Sequence, residues 1–272
     1  MSTAEEHDAR VDEDAQPLLA HLMELRSRIL RAVLAVLIVF FPLYYVANEL
    51  YAFLSAPLLA TLPEGAGMIA TQVASPFLTP FKLALVCAFF IAIPVVLHQI
   101  WAFVAPGLYK HEKRFAVPLL VSSVLLFYAG MAFAYYVVFP LAFAFFSSVA
   151  PDGVSIATDI SSYLDFVLKI LFAFGFAFEI PIATFLLVLT GITDVASLKK
   201  KRAYVIVGCF VAGMLLTPPD VISQTLLALP MWMLYEIGIL FARLVDKPGE
   251  SREADGADET GEQQPPLRDG EA

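Results

Sequence analysis

The chain has 272 residues, of which 59% are hydrophobic, and its mean hydropathy is +0.76. These values exclude an ordinary soluble domain and indicate a single membrane domain with short connections. The formal net charge of -9 comes from the two ends of the chain, because residues 1–16 hold six acidic side chains and one basic one, and residues 246–272 hold nine and three. The part between these ends therefore carries a small positive charge.

Six long apolar runs follow one another along the chain. They cover residues 29–47, 80–103, 116–146, 163–190, 203–216 and 221–241. About 20 apolar residues in a helix are enough to cross the ~30 Å hydrocarbon core of a bilayer. The sequence therefore predicts an all-α membrane protein with six transmembrane helices.

Most Lys and Arg residues lie on one side of these predicted spans. Fifteen of the 17 lie before the first run or within its first turn, between the second and third, between the fourth and fifth, or after the sixth. The other three connections contain none: 48–79, 147–162 and 217–220. Because Lys and Arg next to spans are retained in the cytoplasm, both termini are predicted to be cytoplasmic. The exceptions, Lys82 and Lys169, lie near the outer helix ends, where a long side chain reaches the headgroups.

Local signals predict where two of the spans begin. Thr79 followed by Pro80 is typical of an N-cap and a first helical residue, so the second span is predicted to begin there. Ser162 and Asp165 have the spacing of a capping box at the start of the fourth span. Asp165 and Lys169 are four residues apart, which predicts an ion pair within that helix.

The span lengths predict a bent bundle. The third span, residues 116–146, would be about 46 Å long and must tilt, bend or protrude. The fifth span would reach only about 21 Å, and Gln224 and Glu236 shorten the apolar part of the sixth. Prolines, which favour kinks, lie within or near the ends of five spans: Pro42, Pro94, Pro118, Pro140, Pro181 and Pro230. We therefore expect a kinked, cup-like bundle with short helices five and six.

The composition divides the chain into three parts. Residues 1–16 are predicted to be an acidic, disordered extension, and residues 17–245 to be the six-helix membrane domain. Residues 246–272 combine Pro, Gly and acidic residues, which is typical of a disordered tail that cannot bury a core.

Two carboxylates stand out at the predicted cytoplasmic surface. Residues 18–31 form an amphipathic pattern leading into the first span, and within it Glu24 and Arg28 are spaced for a local ion pair without a further role. Glu112 lies in a basic connection between two spans. It either balances the charge of its neighbours or accepts the guanidinium group of an arginine from a partner, because such contacts are bidentate and charge-assisted.

Glu179 is predicted to lie roughly 16 Å inside the fourth span. A charge at that depth costs about 3 kcal/mol or more unless it is hydrated, paired or protonated. Pro181 frees the carbonyl of Ala177 and so places a polar notch beside the acid. A protonated glutamate that is hydrogen-bonded within the bundle would have no further role. Ionisable groups inside membranes are commonly functional, so Glu179 is a candidate site.

Two other classes of protein share some of these features. A proton-coupled transporter of small solutes would also use a buried glutamate and kinked helices, but the chain shows no internal repeat and no cation at the depth of Glu179. An intramembrane enzyme is disfavoured because the sequence has neither an HExxH zinc motif nor a phosphate-binding GxxxxGK loop. Its serines also lack a histidine partner at membrane depth. We therefore expect no catalytic activity.

Five motifs occur in order between about Gln16 and Arg243. They are HLMELRSR (21–28), ASPF (74–77), FVAPGLYKHEKR (103–114), FGFAFEIP (174–181) and GMLLTPPDVISQ (213–224). With these motifs and the predicted six-span layout, the chain resembles the TatC family. This family is the receptor subunit of the twin-arginine protein translocase, which exports folded precursor proteins.

The resemblance implies two groups of functional residues. Glu24 and Glu112 match the glutamates that accept the paired arginines of signal peptides, while Arg26 and Phe103 belong to the same two cytoplasmic motifs. Glu179 matches the family's buried glutamate in the fourth span. The remaining matches form a polar cluster where partner helices dock: Met214, Thr217 and Gln224.

The resemblance also implies the setting in which the protein works. The expected partners are single-span subunits of the TatA and TatB type, further TatC copies, twin-arginine signal peptides and membrane lipids, with no nucleic acid. The expected location is the bacterial inner membrane, with transport driven by the proton-motive force and no cofactor. Cys87 and Cys209 both lie within apolar runs, which predicts free thiols rather than a disulfide or a metal site.

Overall fold

The computed structural model describes residues 3–60, 67–104, 116–149, 157–216 and 221–244. These residues are almost entirely helical and form no β-strand; the nearest approach to one is an isolated bridge between Ile69 and Asp159. The α-helices are α1 (Thr3–Tyr45), α2 (Ala47–Leu59), α3 (Ser75–Val104), α4 (Ala116–Phe133), α5 (Phe139–Ser148), α6 (Ile160–Ala177), α7 (Ile180–Leu189), α8 (Val195–Lys200), α9 (Arg202–Leu216) and α10 (Val221–Ala242).

Within the described residues, five helical stretches are long and apolar enough to cross a membrane. They are Leu22–Tyr45, Ser75–Phe103, Val117–Ser148, Ile160–Leu189 and Gln224–Ala242. Helix α9 is apolar but shorter, as the sequence predicts for the fifth span. The prediction of an all-α membrane protein is therefore confirmed, while the sixth crossing and the sidedness of the termini stay predictions.

Two predicted helix starts are wrong. Helix α3 begins at Ser75, so Pro76 occupies its first turn, where a missing N–H is tolerated, and Pro80 lies inside the helix. Helix α6 begins at Ile160 because Asp159 is its N-cap and accepts a hydrogen bond from the Ser162 N–H at 2.9 Å. Each helix therefore begins a few residues earlier than the sequence predicts, α3 with Pro76 in its first turn and α6 with Asp159 as its N-cap.

Helix α1 extends to Thr3, inside the segment for which the sequence predicts disorder. Residues 3–16 contain neither Gly nor Pro and include several Ala and Glu residues. These residue types extend a helix that has already nucleated. The boundary between this extension and the membrane domain stays a prediction. The C-terminal tail, 246–272, lies outside the described residues.

Two of the long stretches are interrupted near prolines, as the sequence predicts. A five-residue π-helix, Ala134–Val138, separates α4 from α5, and Pro140 follows in the first turn of α5. A wider turn at this point accommodates the residue that lacks an N–H. The second break separates α6 from α7 at Phe178 and Glu179, and Pro181 lies in the first turn of α7.

The main core lies between helices α2 to α6. Its fully buried side chains include Leu83, Ile93, Phe127, Phe139 and Phe174. Helices α4 and α6 approach so closely at Gly130 that a Cβ atom there would lie 2.4 Å from the Phe174 carbonyl oxygen.

The second half of the bundle joins the first through α7. Helix α10 packs against α7 at Gly238, where a Cβ atom would lie 2.9 Å from the Cα atom of Pro181. A smaller core of buried apolar side chains joins α7, α8 and α10 through Val188, Leu198 and Tyr235. The two close helix contacts, at Gly130 and Gly238, therefore flank the break between α6 and α7.

A polar latch joins the connection before α3 to the start of α6. The Ile69 N–H donates to the Thr158 carbonyl at 3.0 Å, and the Ile160 N–H donates to the Ile69 carbonyl at 2.9 Å. The Asp159 carboxylate accepts hydrogen bonds from the Thr71 N–H at 3.0 Å and the Thr71 hydroxyl at 2.8 Å. The N–H groups of Thr71 and then of Ser162 lower the pKa of Asp159 well below its usual range.

Candidate functional site

Glu24 lies on α1 and forms the predicted ion pair with Arg28. Its Oε1 atom accepts a hydrogen bond from Arg28 Nε at 3.1 Å and a second from Arg28 Nη2. The Glu24 side chain is 40% exposed and that of Arg28 is 18% exposed. Both described hydrogen bonds end on the same carboxylate oxygen, so Oε2 has capacity to accept a hydrogen bond from another donor.

Arg26 occupies a different part of the same helix surface. It is exposed and contributes to a shallow cavity of about 440 Å³ on α1, together with Met23, Leu30 and Arg31. The surface is amphipathic, because cationic groups alternate with apolar ones.

Phe103 lies half-buried near the end of α3. Helices α1 and α3 pack along each other, and the rings of Phe40 and Phe81 are in contact at 5.3 Å between centroids. Glu24 lies on the N-terminal side of Phe40 in α1, and Phe103 lies on the C-terminal side of Phe81 in α3. Glu112 lies outside the described residues.

Glu179 lies at the break between α6 and α7. Its Oε1 atom is buried and has no hydrogen-bond partner among the described residues. The hydroxyl of Ser123 on α4 lies within hydrogen-bonding reach of the same carboxyl group. Ser123 is 1% exposed and accepts a hydrogen bond from the indole N–H of Trp101 on α3 at 3.3 Å. A buried polar cluster thus joins Trp101, Ser123 and Glu179.

Sequence reasoning missed Ser123, beside Glu179, and Trp101, which donates to Ser123. Neither residue belongs to one of the five motifs, and they come from two other helices. Their polar atoms in otherwise apolar spans were the available signal, since buried hydroxyl and indole groups require hydrogen-bond partners.

The predicted polar cluster at the start of α10 is described in part. Gln224 Nε2 donates to the Phe210 carbonyl of α9 at 2.7 Å. A Cβ atom on Gly213 would lie 3.2 Å from the Gln224 carbonyl oxygen, so the two helices are close here. Met214 is 49% exposed on the surface of α9, and Thr217 lies outside the described residues. Gln224 therefore fastens α10 to α9 while Met214 faces outward.

Two cross-helix ion pairs were not predicted. Lys82 of α3 pairs with Asp165 of α6, so the predicted pairing of Asp165 with Lys169 within α6 is wrong. Arg202 of α9 pairs with Glu236 of α10. Residue spacing along one helix detects partners on that helix alone, and both of these pairs form between helices.

The described residues contain no group of His, Cys, Asp and Glu that could hold a metal ion. Cys87 and Cys209 are free thiols, as the sequence predicts. The fold and its polar groups define a multi-pass helical membrane protein whose candidate binding groups are carboxylates at one surface and inside the bundle.

Comparison with known proteins identifies the family. The family model "Sec-independent protein translocase protein (TatC)" matches residues 20–230. The Sec-independent protein translocase protein TatC of Azotobacter chroococcum mcd 1 is 65% identical over 249 residues, which cover 91% of this chain and 98% of that protein. Its counterpart from Escherichia coli strain K12 is 58% identical over 241 residues, covering 89% and 93%. The chain belongs to the TatC family.

Solved structures agree with this assignment. A crystal structure of the twin-arginine translocase receptor TatC superposes with a TM-score of 0.74 at 39% sequence identity, covering 83% of this chain and 99% of that one. A second crystal structure of that receptor, in DDM, gives a TM-score of 0.75 at the same identity. The likeness therefore extends over nearly the whole of the solved receptor.

Proposed function

We propose that this chain is the receptor subunit of a twin-arginine protein translocase, which binds the signal peptides of folded precursors and exports them with partner subunits. The observation that carries this proposal is the match to TatC proteins over almost their full length, at 65% and 58% identity for two of them. Membership of a translocase family identifies the chain as a transport component. It also fits the sequence prediction of no catalytic activity.

The arginines of the signal peptide would bind at the surface that carries Glu24. Guanidinium groups form bidentate, charge-assisted hydrogen bonds with carboxylates. Glu24 suits this role because its side chain is 40% exposed and both of its described hydrogen bonds end on Oε1. An incoming arginine would share the carboxylate with Arg28 or displace it. Arg26 would contact the peptide from the adjoining part of α1, and Phe103 from the end of α3.

Glu112 would provide the second carboxylate for the paired arginines. Its place in the basic motif FVAPGLYKHEKR supports this role. The basic side chains of this motif repel a cationic peptide, and Glu112 is the one acidic position in the motif that attracts it. Two separate carboxylates would explain recognition of two adjacent arginines rather than one.

Binding of a labelled twin-arginine peptide to the purified full chain tests this site. We expect Glu112→Lys to abolish binding of a peptide with the Arg-Arg pair, because the change replaces an acceptor with a like charge. The matched control is Glu49→Lys, since Glu49 is an exposed glutamate on α2. A folded Glu112→Lys variant that still crosslinks to the peptide normally would refute the assignment.

A second surface would couple the receptor to single-span subunits of the TatA and TatB type. The proposed residues are Glu179, Met214, Thr217 and Gln224. Met214 suits a docking surface because about half of its surface is exposed. Gln224 packs against Gly213, the residue before Met214, where α9 and α10 lie close together. Further TatC copies would complete the assembly, and the proton-motive force would drive transport.

Cysteine crosslinking tests the docking surface. We expect Met214→Cys to form disulfides with a cysteine in the span of a partner subunit. Leu215→Cys is the control, because Leu215 is also exposed but points about 100° away around α9. Equal crosslinking at both positions would contradict a defined docking face.

The orientation and the whole activity need their own test. We propose six crossings of the bacterial inner membrane with both termini in the cytoplasm, which the distribution of Lys and Arg supports. The chain should restore export of twin-arginine precursors in a strain that lacks its own TatC. Failure to restore export, together with proton-coupled uptake of a small solute by liposomes containing the pure chain, would favour the transporter alternative.

A further inference from the structure

A cavity of about 480 Å³ opens between α3, α6 and the end of α9. Its described lining has a charged part and an apolar part. The charged part consists of Lys82, Asp165 and Lys169. The apolar part includes Val86, Leu168, Phe172, Phe176 and Leu216. No functional role proposed above uses this cavity.

The two parts of the lining follow one another along a single face of α6. Asp165, Lys169, Phe172 and Phe176 recur at intervals of three or four residues, so they point to the same side of the helix. The charged residues are nearer to the first residue of α6, and the apolar residues follow. From Asp165 to Phe176 this face is about 17 Å long. The cavity is therefore amphipathic along its length, with a cationic end and an apolar wall.

The short helix α9 explains why the cavity is open. Helix α9 has 15 residues and is about 22 Å long, whereas the stretch Ile160–Leu189 has 30 residues. Leu216, the last residue of α9, meets α6 at the apolar part of the cavity. Phe176 is 54% exposed and the Lys82 side chain is 52% exposed. A ligand can therefore enter this face from the bilayer.

The charges in the cavity do not balance. Lys82 pairs with Asp165, and among the described residues Lys169 belongs to no ion pair. The three groups together carry a formal charge of +1. Lys169 is exposed and long enough to reach the level of the headgroups, so an anionic group in the cavity would supply the counter-ion that it lacks among the described residues.

We propose that this cavity binds one anionic phospholipid. The phosphate would contact Lys169 and Lys82, and an acyl chain would lie along Phe172 and Phe176. A phosphodiester with no cation of its own cancels the charge of +1, whereas a zwitterionic lipid adds no net charge. A free phosphate would leave the apolar wall without a partner. On the proposed orientation the site belongs to the non-cytoplasmic leaflet.

The mixed lining of the cavity favours a lipid over an apolar helix of a partner protein. An apolar helix would cover Lys169 without supplying a counter-ion, whereas an anionic phospholipid supplies both a phosphate for the charged part and an acyl chain for the apolar part. A single acyl chain is also thin and flexible enough to follow the groove.

Thermal unfolding of the purified full chain in a neutral detergent tests the proposal. Phosphatidylglycerol should raise the Tm more than phosphatidylcholine with the same acyl chains, and glycerol phosphate alone should not. Lys169→Gln should remove at least half of this excess shift, and Lys169→Arg should keep it. The matched control is Lys199→Gln, an exposed lysine on α8 outside the cavity, which should also keep it.

Several outcomes would overturn the proposal. If Lys169→Gln kept the full excess Tm shift, Lys169 would not bind the phosphate. If glycerol phosphate alone gave the same Tm shift as phosphatidylglycerol, the apolar wall would take no part in binding. A photocrosslinker at Phe176 in phosphatidylglycerol liposomes should give a lipid adduct by mass spectrometry. If adding a single-span partner subunit replaced that adduct with a protein adduct, a helix would be the occupant instead.

Discussion

Glu24 and Glu179 are the same residue type in opposite environments. Glu24 is 40% exposed and held by Arg28 through one carboxylate oxygen, so its charge is solvated and partly paired. Glu179 lies at a helix break, with Oε1 buried and without a described partner. A surface carboxylate that already has a cation can exchange it for another one. A buried carboxyl group responds instead to whatever changes its hydration or its neighbours.

Among the variants that compare Glu24 with Glu179, the largest expected effect is that of Glu24→Lys on signal-peptide binding. Charge-assisted hydrogen bonds contribute about 1.5–3 kcal/mol, so their loss should weaken binding of a twin-arginine peptide roughly 10- to 100-fold. Titration of a fluorescent peptide against the purified chain measures this.

Arg28→Gln separates the binding role from a purely local ion pair. If Glu24 binds the peptide, removing its competitor should leave the affinity unchanged or raise it. If the pair merely supports α1, both variants should lose about 0.3–0.5 kcal/mol of stability and neither should change binding. Equal affinities for wild type, Glu24→Lys and Arg28→Gln would therefore contradict the proposed role.

Glu179→Ala should show the second-largest effect, with a different signature. We expect precursor export to fall about tenfold or more, since a buried polar contact contributes about 1–3 kcal/mol, while peptide binding stays within about twofold. Export assays and peptide titration on the same variant measure the two quantities. Full export by Glu179→Ala would exclude an essential role.

Glu179→Gln decides which form of the side chain works. The amide is able to form a hydrogen bond with Ser123 but cannot ionise. Export close to that of wild type would indicate that a neutral, hydrogen-bonded group suffices. Export as low as that of Glu179→Ala would indicate that the carboxylate itself is needed.

The sequence predicts part of the contrast between Glu24 and Glu179. The apolar runs and Pro181 predict a bent helix with Glu179 inside it, because hydrophobicity and the missing proline N–H act locally. The i,i+4 spacing predicts the pair of Glu24 with Arg28 for the same reason. The roles of the two glutamates are predicted by the resemblance of the five motifs to the TatC family, because residue spacing along a helix does not indicate a function.

Features that depend on packing between helices escaped prediction. Asp165 was assigned to Lys169 on its own helix, yet it pairs with Lys82 of α3. Ser123, beside Glu179, comes from α4, and the indole that donates to Ser123, that of Trp101, comes from α3. Which residues of two helices meet depends on crossing angle and register, and one sequence does not specify these.

The third effect tests the packing that holds Glu179 in its buried environment. A methyl group in Gly130→Ala would clash with the Phe174 carbonyl, 2.4 Å away, and overpacking of this kind costs about 1–3 kcal/mol. The Tm in detergent should fall. The control, Gly208→Ala, has no atom within 4 Å of the new methyl group and should be neutral or stabilising by up to about 1 kcal/mol. Similar Tm values for both variants would contradict the close α4–α6 contact.

The smallest effect concerns a third acid, Asp159, which is exposed like Glu24 but bonded to N–H groups rather than to a cation. Because the pKa of Asp159 is lowered in the folded protein, its contribution to stability is present above the unfolded pKa of about 3.9 and is lost as the pH falls below it. Asp159→Asn should therefore lower the Tm at pH 7 slightly.

The difference between wild type and Asp159→Asn should shrink as the pH falls from about 5 toward 3. Asp165→Asn is a useful control, because the Asp165 carboxylate pairs with Lys82 and takes no part in the hydrogen bonds between Thr71 and Asp159. High salt should reduce the effect of Asp165→Asn, an exposed ion pair, more than that of Asp159→Asn, whose partners are neutral N–H and O–H groups. Equal salt dependence in the two variants would show that the latch depends on charge rather than on hydrogen-bond geometry.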